Sequence, residues 1–439
     1  MISWRVYKST VSAIFAASLV AAAARAGAPL AGMGGVGVGV AGATGDISDN
    51  PAASSATLRR HEGAFSAGAS WLRLGFSGKV FNSSRTTSAV YDTGFPLSWG
   101  MVTPMFGAGR GRLAMGSWQL EQRMLQLAEP VDLAMAGKAG GAPLSASYAS
   151  GLARMDQEES FYAHGISWVQ TIFGGDHIIS VGGAVLTQES HDYLDITAEE
   201  LSQIGEFKNF RHVSRRSEMA GPGATLGWMF RPVESGNIGA SLLYAGRMTG
   251  RMWEQADGGA VQADGISRGP QVRASVGGAV ILLDALTVAL DARYFGGMKA
   301  DKKVFTGKPS ARVYTEKSDA GFSIAAGTEY RLRMKWSVLP LRVGFFNKPD
   351  GMPSIVSGTL NSPPVGELLP VPYRQDVMGV TTGTGFESGP FRADIALAWL
   401  RVDTIARISG ADGGVDSGDP CNTFGVFLSF SSRFGGTLP

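Results

Sequence analysis

The sequence predicts an all-β protein, a transmembrane antiparallel β-barrel of about 14 strands. Three observations predict it. Long segments alternate between apolar and small or polar residues with a period of two, which is the pattern of a strand with two unlike faces. The composition is rich in Gly (61 of 439 residues) and poor in charge (17%), against ordinary shares of ~7% and ~25%. The N-terminus reads as an export signal, and no apolar run past residue 24 is long enough for a membrane-spanning helix.

The same composition excludes other classes. Apolar residues make up 44% of the chain and the mean hydropathy is +0.05, so it lacks the low hydrophobicity and high net charge of a disordered chain. Gly follows no three-residue period, which excludes collagen.

Residues 1–26 have the plan of a signal peptide. Arg5 and Lys8 form a positive start, an apolar stretch runs from Val11 to Ala24, and Ala24-Arg25-Ala26 supplies a cleavage site. Removing them takes away three positive charges and no acid, so the net charge falls from +2 to −1 and the case for a basic nucleic-acid binder disappears. The expected location is the Gram-negative outer membrane. Cys421 is the only cysteine, so no intramolecular disulfide forms.

Residues 27–62 are small and Gly-rich and lack the bulky side chains of a core. Strands are then expected over 64–76, 97–106, 111–122, 158–171, 176–188, 222–231, 236–248, 269–282, 284–296, 320–332, 336–347, 374–386, 389–403 and 422–434. Fourteen is even, as single-chain bacterial barrels require. Twelve or sixteen are the neighbouring counts, because 97–106 is the weakest strand and 124–135 is unassigned. Several of these strands are about 11–14 residues long, where soluble strands average ~5–6. Over 284–296, Thr287, Ala289, Asp291, Arg293 and Phe295 share the face expected to be luminal. Over 389–403 that face holds Arg392, Asp394, Ala396 and Ala398, and over 422–434 it holds Gly425, Phe427 and Ser429. A barrel domain spanning 63–434 and a short tail, 435–439, complete the division.

Short connections (172–175, 232–235, 283 and 387–388) read as periplasmic turns. Long ones (123–157, 189–221, 249–268, 297–319, 348–373 and 404–421) read as extracellular loops. Within 189–221, Ile196 to Phe210 reads as a loop helix, because Thr197 and Glu200 have the spacing of a capping box.

Gly37 to Gly42 match G-x-G-x-x-G, but the match leads into Asn-Pro and not into a helix after a strand, so it is not read as a dinucleotide site. No nucleophile elbow or zinc motif is present, and the five histidines lack metal-ligand spacing. No catalytic residue, metal or cofactor is expected.

The Gly-rich start followed by DISDNPAASSATL, with Asn50-Pro51-Ala52 just before the first strand, resembles the N-terminal plug of the FadL/TodX-type outer-membrane transporters of hydrophobic compounds. PGATLGWMFRPVESGNIGASLLYAGRMTG (222–250), YRLRMKWSVLPLRVGFFNKPDGMP (330–353) and LLPVPYRQDVMGVTTGTGFESGPFRADIALAWLRV (368–402) are similar to hairpins of the same family, in the same order. The resemblance implies a 14-stranded barrel closed by an N-terminal hatch, with Gly37, Gly39, Gly42, Asp46, Asp49, Asn50, Pro51 and Ala52 in the plug. It further implies passive uptake of a fatty acid, alkane or aromatic compound and lateral release into the membrane.

Such a conduit needs inward-facing apolar residues, and Phe295, Phe346 and Phe427 fall on the luminal faces. Arg293, Arg342 and Arg392 lie on those faces too. They would hold a ligand carboxylate, rest against a plug acid such as Asp46 or Asp49, or belong to a luminal salt-bridge network. The expected partners are a hydrophobic small molecule, outer-membrane lipid and lipopolysaccharide, and the expected state is a monomer. A structural or secretion-partner barrel that binds a protein remains the alternative.

Overall fold

The computed structural model describes residues 33, 36–38, 40, 50–54, 61–76, 87–93, 97–104, 111–135, 138–139, 142–143, 147–173, 176–198, 211–233, 235–256, 262–304, 312–349, 353–357, 373–407, 415–417 and 421–434. The signal peptide and the tail expected at 435–439 lie outside them. So do Gly39, Gly42, Asp46 and Asp49.

The long strands are β1 (His61–Phe76), β2 (Leu97–Pro104), β3 (Gly111–Met135), β4 (Ser147–Ile172) and β5 (His177–Ala198). They continue with β6 (Arg211–Val233), β7 (Gly236–Ala245), β8 (Gln271–Leu282), β9 (Leu286–Phe295) and β10 (Gly321–Arg333). β11 (Val338–Pro349), β12 (Tyr373–Ser388), β13 (Phe391–Arg407) and β14 (Cys421–Phe434) complete the set.

Each of these strands pairs antiparallel with the next, from β1 to β14. β14 then pairs with β1, Phe434 opposite His61 and Phe424 opposite Trp71. The circuit is the antiparallel barrel the alternation predicts, and every expected strand lies on one of these ladders.

The two faces sort as expected. On β10, Phe322, Ile324, Thr328 and Tyr330 point outward and are exposed, while Ser323, Ala325, Gly327 and Glu329 point inward and are buried. Phe322 and Tyr330 are eight positions apart, so two aromatic side chains bracket an apolar band of about 26 Å of strand. β9 and β13 behave likewise. Val288 and Leu290, and Ile395, Leu397 and Trp399, face outward, whereas Asp291 and Asp394 face the lumen.

Short turns close one end. Leu283 and Asp284 both carry positive φ, 51° and 55°, between β8 and β9. Two consecutive left-handed residues match the right-handed twist of the flanking strands.

The opposite end departs from expectation. Segments read as loops continue as ladders. β3 and β4 are 25 and 26 residues long, and β5 and β6 are 22 and 23, where a bilayer takes about 9–11. Met248–Ala256 pairs with β6 and with Gln262–Arg268, and Met298–Val304 pairs with Arg312–Ser318. The expected helix is contradicted at Ile196–Ala198, which is strand, with Ile196 opposite Arg211. Residues 199–210 lie outside the described set. Hydrophobic alternation marks only the stretch of a hairpin that meets lipid. Beyond the membrane the ladder needs only cross-strand backbone partners, and these outweigh a local capping signal.

Candidate functional site

The described residues of the N-terminal segment lie against the luminal face of the wall. Asp291 of β9 is 1% exposed, and its Oδ2 accepts the backbone N–H groups of Gly37 and Val38 at 2.6 and 3.0 Å. Asn50 donates from Nδ2 to the Val38 carbonyl at 2.9 Å and to the Trp228 carbonyl of β6 at 3.0 Å. Its Oδ1 accepts the N–H of Ala52 at 3.1 Å, which opens the helical turn Pro51–Ser54. An Asx-type bond of this kind suits Asn, and Pro51 needs no N–H partner. Met33 and Val36 pack in one buried cluster with Ala279, Ala289 and Ala325 of the wall, with Val40 and Phe346 against it.

Wall glycines make this approach possible. A Cβ on Gly239 would collide with the Val38 carbonyl oxygen, one on Gly327 with that of Met33, and one on Gly227 would meet Asn50 Oδ1 at 2.5 Å. Gly277 and Gly385 leave room for the carboxylates of Asp291 and Asp394. Gly183 has nothing near its missing Cβ, and a Cβ on Gly182 would meet wall atoms.

A second group fills the lumen towards the short turns. Arg342 has no exposed side-chain surface, and it pairs with Glu329 at 2.6 Å and Asp394 at 2.9 Å. Arg392 pairs with Asp394 at 2.8 Å and Glu387 at 3.2 Å, and Arg331 with Glu387 at 2.5 Å. Arg293 pairs with Asp291 at 3.2 Å. The three predicted arginines thus meet carboxylates of the wall. Arg342 and Arg392 share one ionic network, and Arg293 belongs to the anchor of the N-terminal segment. Burial of a charge calls for an opposed charge close by, and each of these groups has one.

The third feature is apolar. Trp118 of β3, Phe161 of β4, Leu186 of β5, Met219 of β6 and Met248, Met252 and Ile266 beyond β7 form one buried cluster, which also includes Ala52 and Ala53. These are inward positions of a barrel wall. Above the cluster the lumen turns polar again. Arg215 pairs with Glu254 at 2.7 Å, and Arg268 donates to Gln188 Oε1 at 2.5 Å, while its guanidinium lies 4.4 Å from the centre of the Phe161 ring. Beside the cluster the β3–β4 ladder slips. Gln119 pairs with Tyr162 and Glu121 with Phe161, leaving Leu120 without a partner in the register.

Of the predicted aromatics, Phe346 meets the Met33–Val36 cluster and Phe295 lies 5.6 Å from the Arg273 guanidinium. Phe427 is half-buried on the luminal face of β14. The larger apolar lining, from Trp118 to Ile266, was missed. A signal for it exists, because Met219 and Met252 recur in register with charged residues on the same face, where a water-filled lumen would carry polar side chains. Among the described residues no three His, Cys, Asp or Glu side chains gather as a metal site.

The sequence matches no protein-family model and no curated protein. Solved structures do match. A Pseudomonas aeruginosa FadL homologue aligns over 94% of this chain and 100% of its own, with a TM-score of 0.58 at 13% identity. The Ralstonia pickettii toluene transporter TbuX aligns over 93% and 98%, with a TM-score of 0.56 at 15% identity. The chain has the fold of the FadL and TodX transporters. The Pseudomonas putida toluene transporter TodX aligns over 94% and 100%, with a TM-score of 0.53 at 13% identity. The FadL-type fold accounts for the fourteen ladders and for the low sequence identity together, since alternation conserves faces and not residues.

Proposed function

We propose that this chain is an outer-membrane channel for passive uptake of hydrophobic small molecules. The observation that carries the reading is the buried apolar lining of the lumen, from Trp118 to Ile266. A channel for water-soluble solutes has a polar interior. The transporter fold supports the same reading.

In this reading the segment before β1 is the hatch. Asp291, Asn50 and the glycines Gly239 and Gly327 support it, because they tie or admit the backbone of Met33, Gly37, Val38 and Asn50 against the wall. Phe295, Phe346 and Phe427 continue the lining on the far wall. Arg342 and Arg392 tie strands of the wall to one another, Arg293 supports the Asp291 anchor, and the ligand meets them only when the hatch moves. Lateral release goes through the wall at the β3–β4 slip, since a break in register beside an apolar cluster is where neighbouring strands separate most readily. Outer-membrane lipid and lipopolysaccharide surround a monomer.

The test compares cells making the chain with cells lacking it. Uptake of a labelled long-chain fatty acid, an alkane and a monoaromatic hydrocarbon is followed beside a water-soluble sugar. Faster entry of at least one apolar compound, with the sugar unchanged, is expected. Equal uptake of all of them sinks the reading and favours a barrel that serves a protein partner.

A further inference from the structure

Trp118 is 4% exposed and its indole N–H has no acceptor among the described residues. An indole nitrogen can only donate, so it has no second way to be satisfied. A Cβ on Gly165 would meet Trp118 Cη2 at 2.5 Å and Cζ3 at 3.2 Å, so the benzo edge is seated on that glycine. Ala163 stands opposite Trp118 in the register. In the rest of the cluster the side-chain acceptors are only the weak thioether sulfurs of its methionines. Buried donors in folded proteins are nearly always paired. This one lies in the apolar lining, one residue before the slip in the β3–β4 ladder.

We propose that Trp118 is a specificity residue, and that the luminal site takes an apolar molecule carrying an oxygen acceptor in preference to a bare hydrocarbon. This rests on the transport reading above. A carbonyl, ester or hydroxyl oxygen accepts the indole N–H while the apolar body lies against Phe161 and Met219. A hydrocarbon of the same shape leaves the donor buried and unpaired, and a site built this way discriminates through that penalty.

The test uses the full chain in lipid nanodiscs, with empty nanodiscs to subtract partition into lipid. Acetophenone and ethylbenzene, which differ by a carbonyl oxygen, are compared by headspace equilibrium. The expected preference for acetophenone is roughly 3- to 10-fold, the worth of one net hydrogen bond. Trp118→Phe keeps an aromatic side chain and removes the donor, so the preference for acetophenone over ethylbenzene disappears, whatever the smaller ring does to the affinity for both. Gly165→Ala keeps the indole and displaces it, and lowers the preference as well. Heat-modified gel mobility confirms a folded barrel in each. In the wild type the Trp118 indole proton shifts downfield with acetophenone and not with ethylbenzene. No preference in the wild type, or a preference that survives in both variants, overturns the proposal. Binding of neither compound overturns the transport reading and this proposal with it.

Discussion

Gly37 donates its backbone N–H to the Asp291 carboxylate at 2.6 Å, a bond between the N-terminal segment and the barrel wall across 254 positions of sequence. Val38 donates to the same oxygen. Two amides converging on one buried carboxylate form charge-assisted bonds, each stronger than a neutral one. Asp291→Ala leaves both N–H groups unpaired. The expected loss is about 1.5–3 kcal/mol of docking for the N-terminal segment. It is read as faster hydrogen exchange at Gly37 and Val38, with exchange in the β9–β10 ladder unchanged. Protected amides in the variant would show that the carboxylate does not hold the segment.

Asn50 uses both ends of its carboxamide, donating to two carbonyls and accepting from Ala52. Removing it with Ala costs about 1–3 kcal/mol through the groups left unsatisfied. Asn50→Asp is expected to cost more than Asn50→Ala, although it is the nearer match in shape. A carboxylate would set a charged oxygen about 3 Å from the Val38 and Trp228 carbonyl oxygens, with no donor to offer. Thermal unfolding in detergent ranks the two variants, and the reverse order would contradict the assigned orientation of the amide.

The features of this architecture that were readable in the sequence are those governed by repetition. On β9, Leu286, Val288 and Leu290 alternate with Thr287, Ala289 and Asp291, and the lipid and lumen faces follow directly. The Asn-Pro pair is legible as a local restriction on the chain, since Pro fixes its φ and restricts the residue before it. The membrane-distal hairpins were not readable because strands in water need no apolar stripe. Ile196 and Arg211 face each other in a ladder whose local composition favours a helix. The apolar lining was hidden for another reason. Trp118, Phe161 and Met252 come from different strands and become one surface only when the ladders are in register. The anchor at Asp291 has the same origin, since nothing in the residues near Gly37 names a partner on β9.

Gly327 and Gly239 separate the needs of the N-terminal segment from those of the barrel. Alanine is an ordinary residue in a strand, so the ladders of β7 and β10 tolerate it. Its Cβ would overlap the Met33 or Val38 carbonyl. Gly327→Ala and Gly239→Ala are therefore expected to leave a heat-modifiable barrel and to displace the segment from the wall. In planar bilayers this appears as a rise in ion conductance over the wild type. Gly183→Ala is the control, because nothing lies within 4 Å of its Cβ, and its conductance should match the wild type. A rise in the control, or none in the other two, would detach the glycines from the packing of the segment.

Arg342 bears on stability more than any other luminal charge described. Its side chain has no exposed surface, and it bridges Glu329 on β10 to Asp394 on β13. Removing it strands two acids in the lumen, although Arg392 remains 2.8 Å from Asp394 and 3.9 Å from Glu329. Arg342→Met is expected to cost about 3–5 kcal/mol, the usual penalty for breaking one side of a buried pair. Changing Glu329 as well restores some of the loss. In Arg342→Met/Glu329→Gln one charge of each sign goes, while Asp394 keeps Arg392 and Glu387 keeps Arg331. Arg342→Lys should fall between wild type and Arg342→Met, because an ammonium keeps the charge but cannot present the planar fork that reaches two carboxylates on different strands. Urea unfolding in detergent, followed by gel mobility, orders the four proteins. If the double variant is no more stable than Arg342→Met, the loss comes from packing and not from a stranded carboxylate.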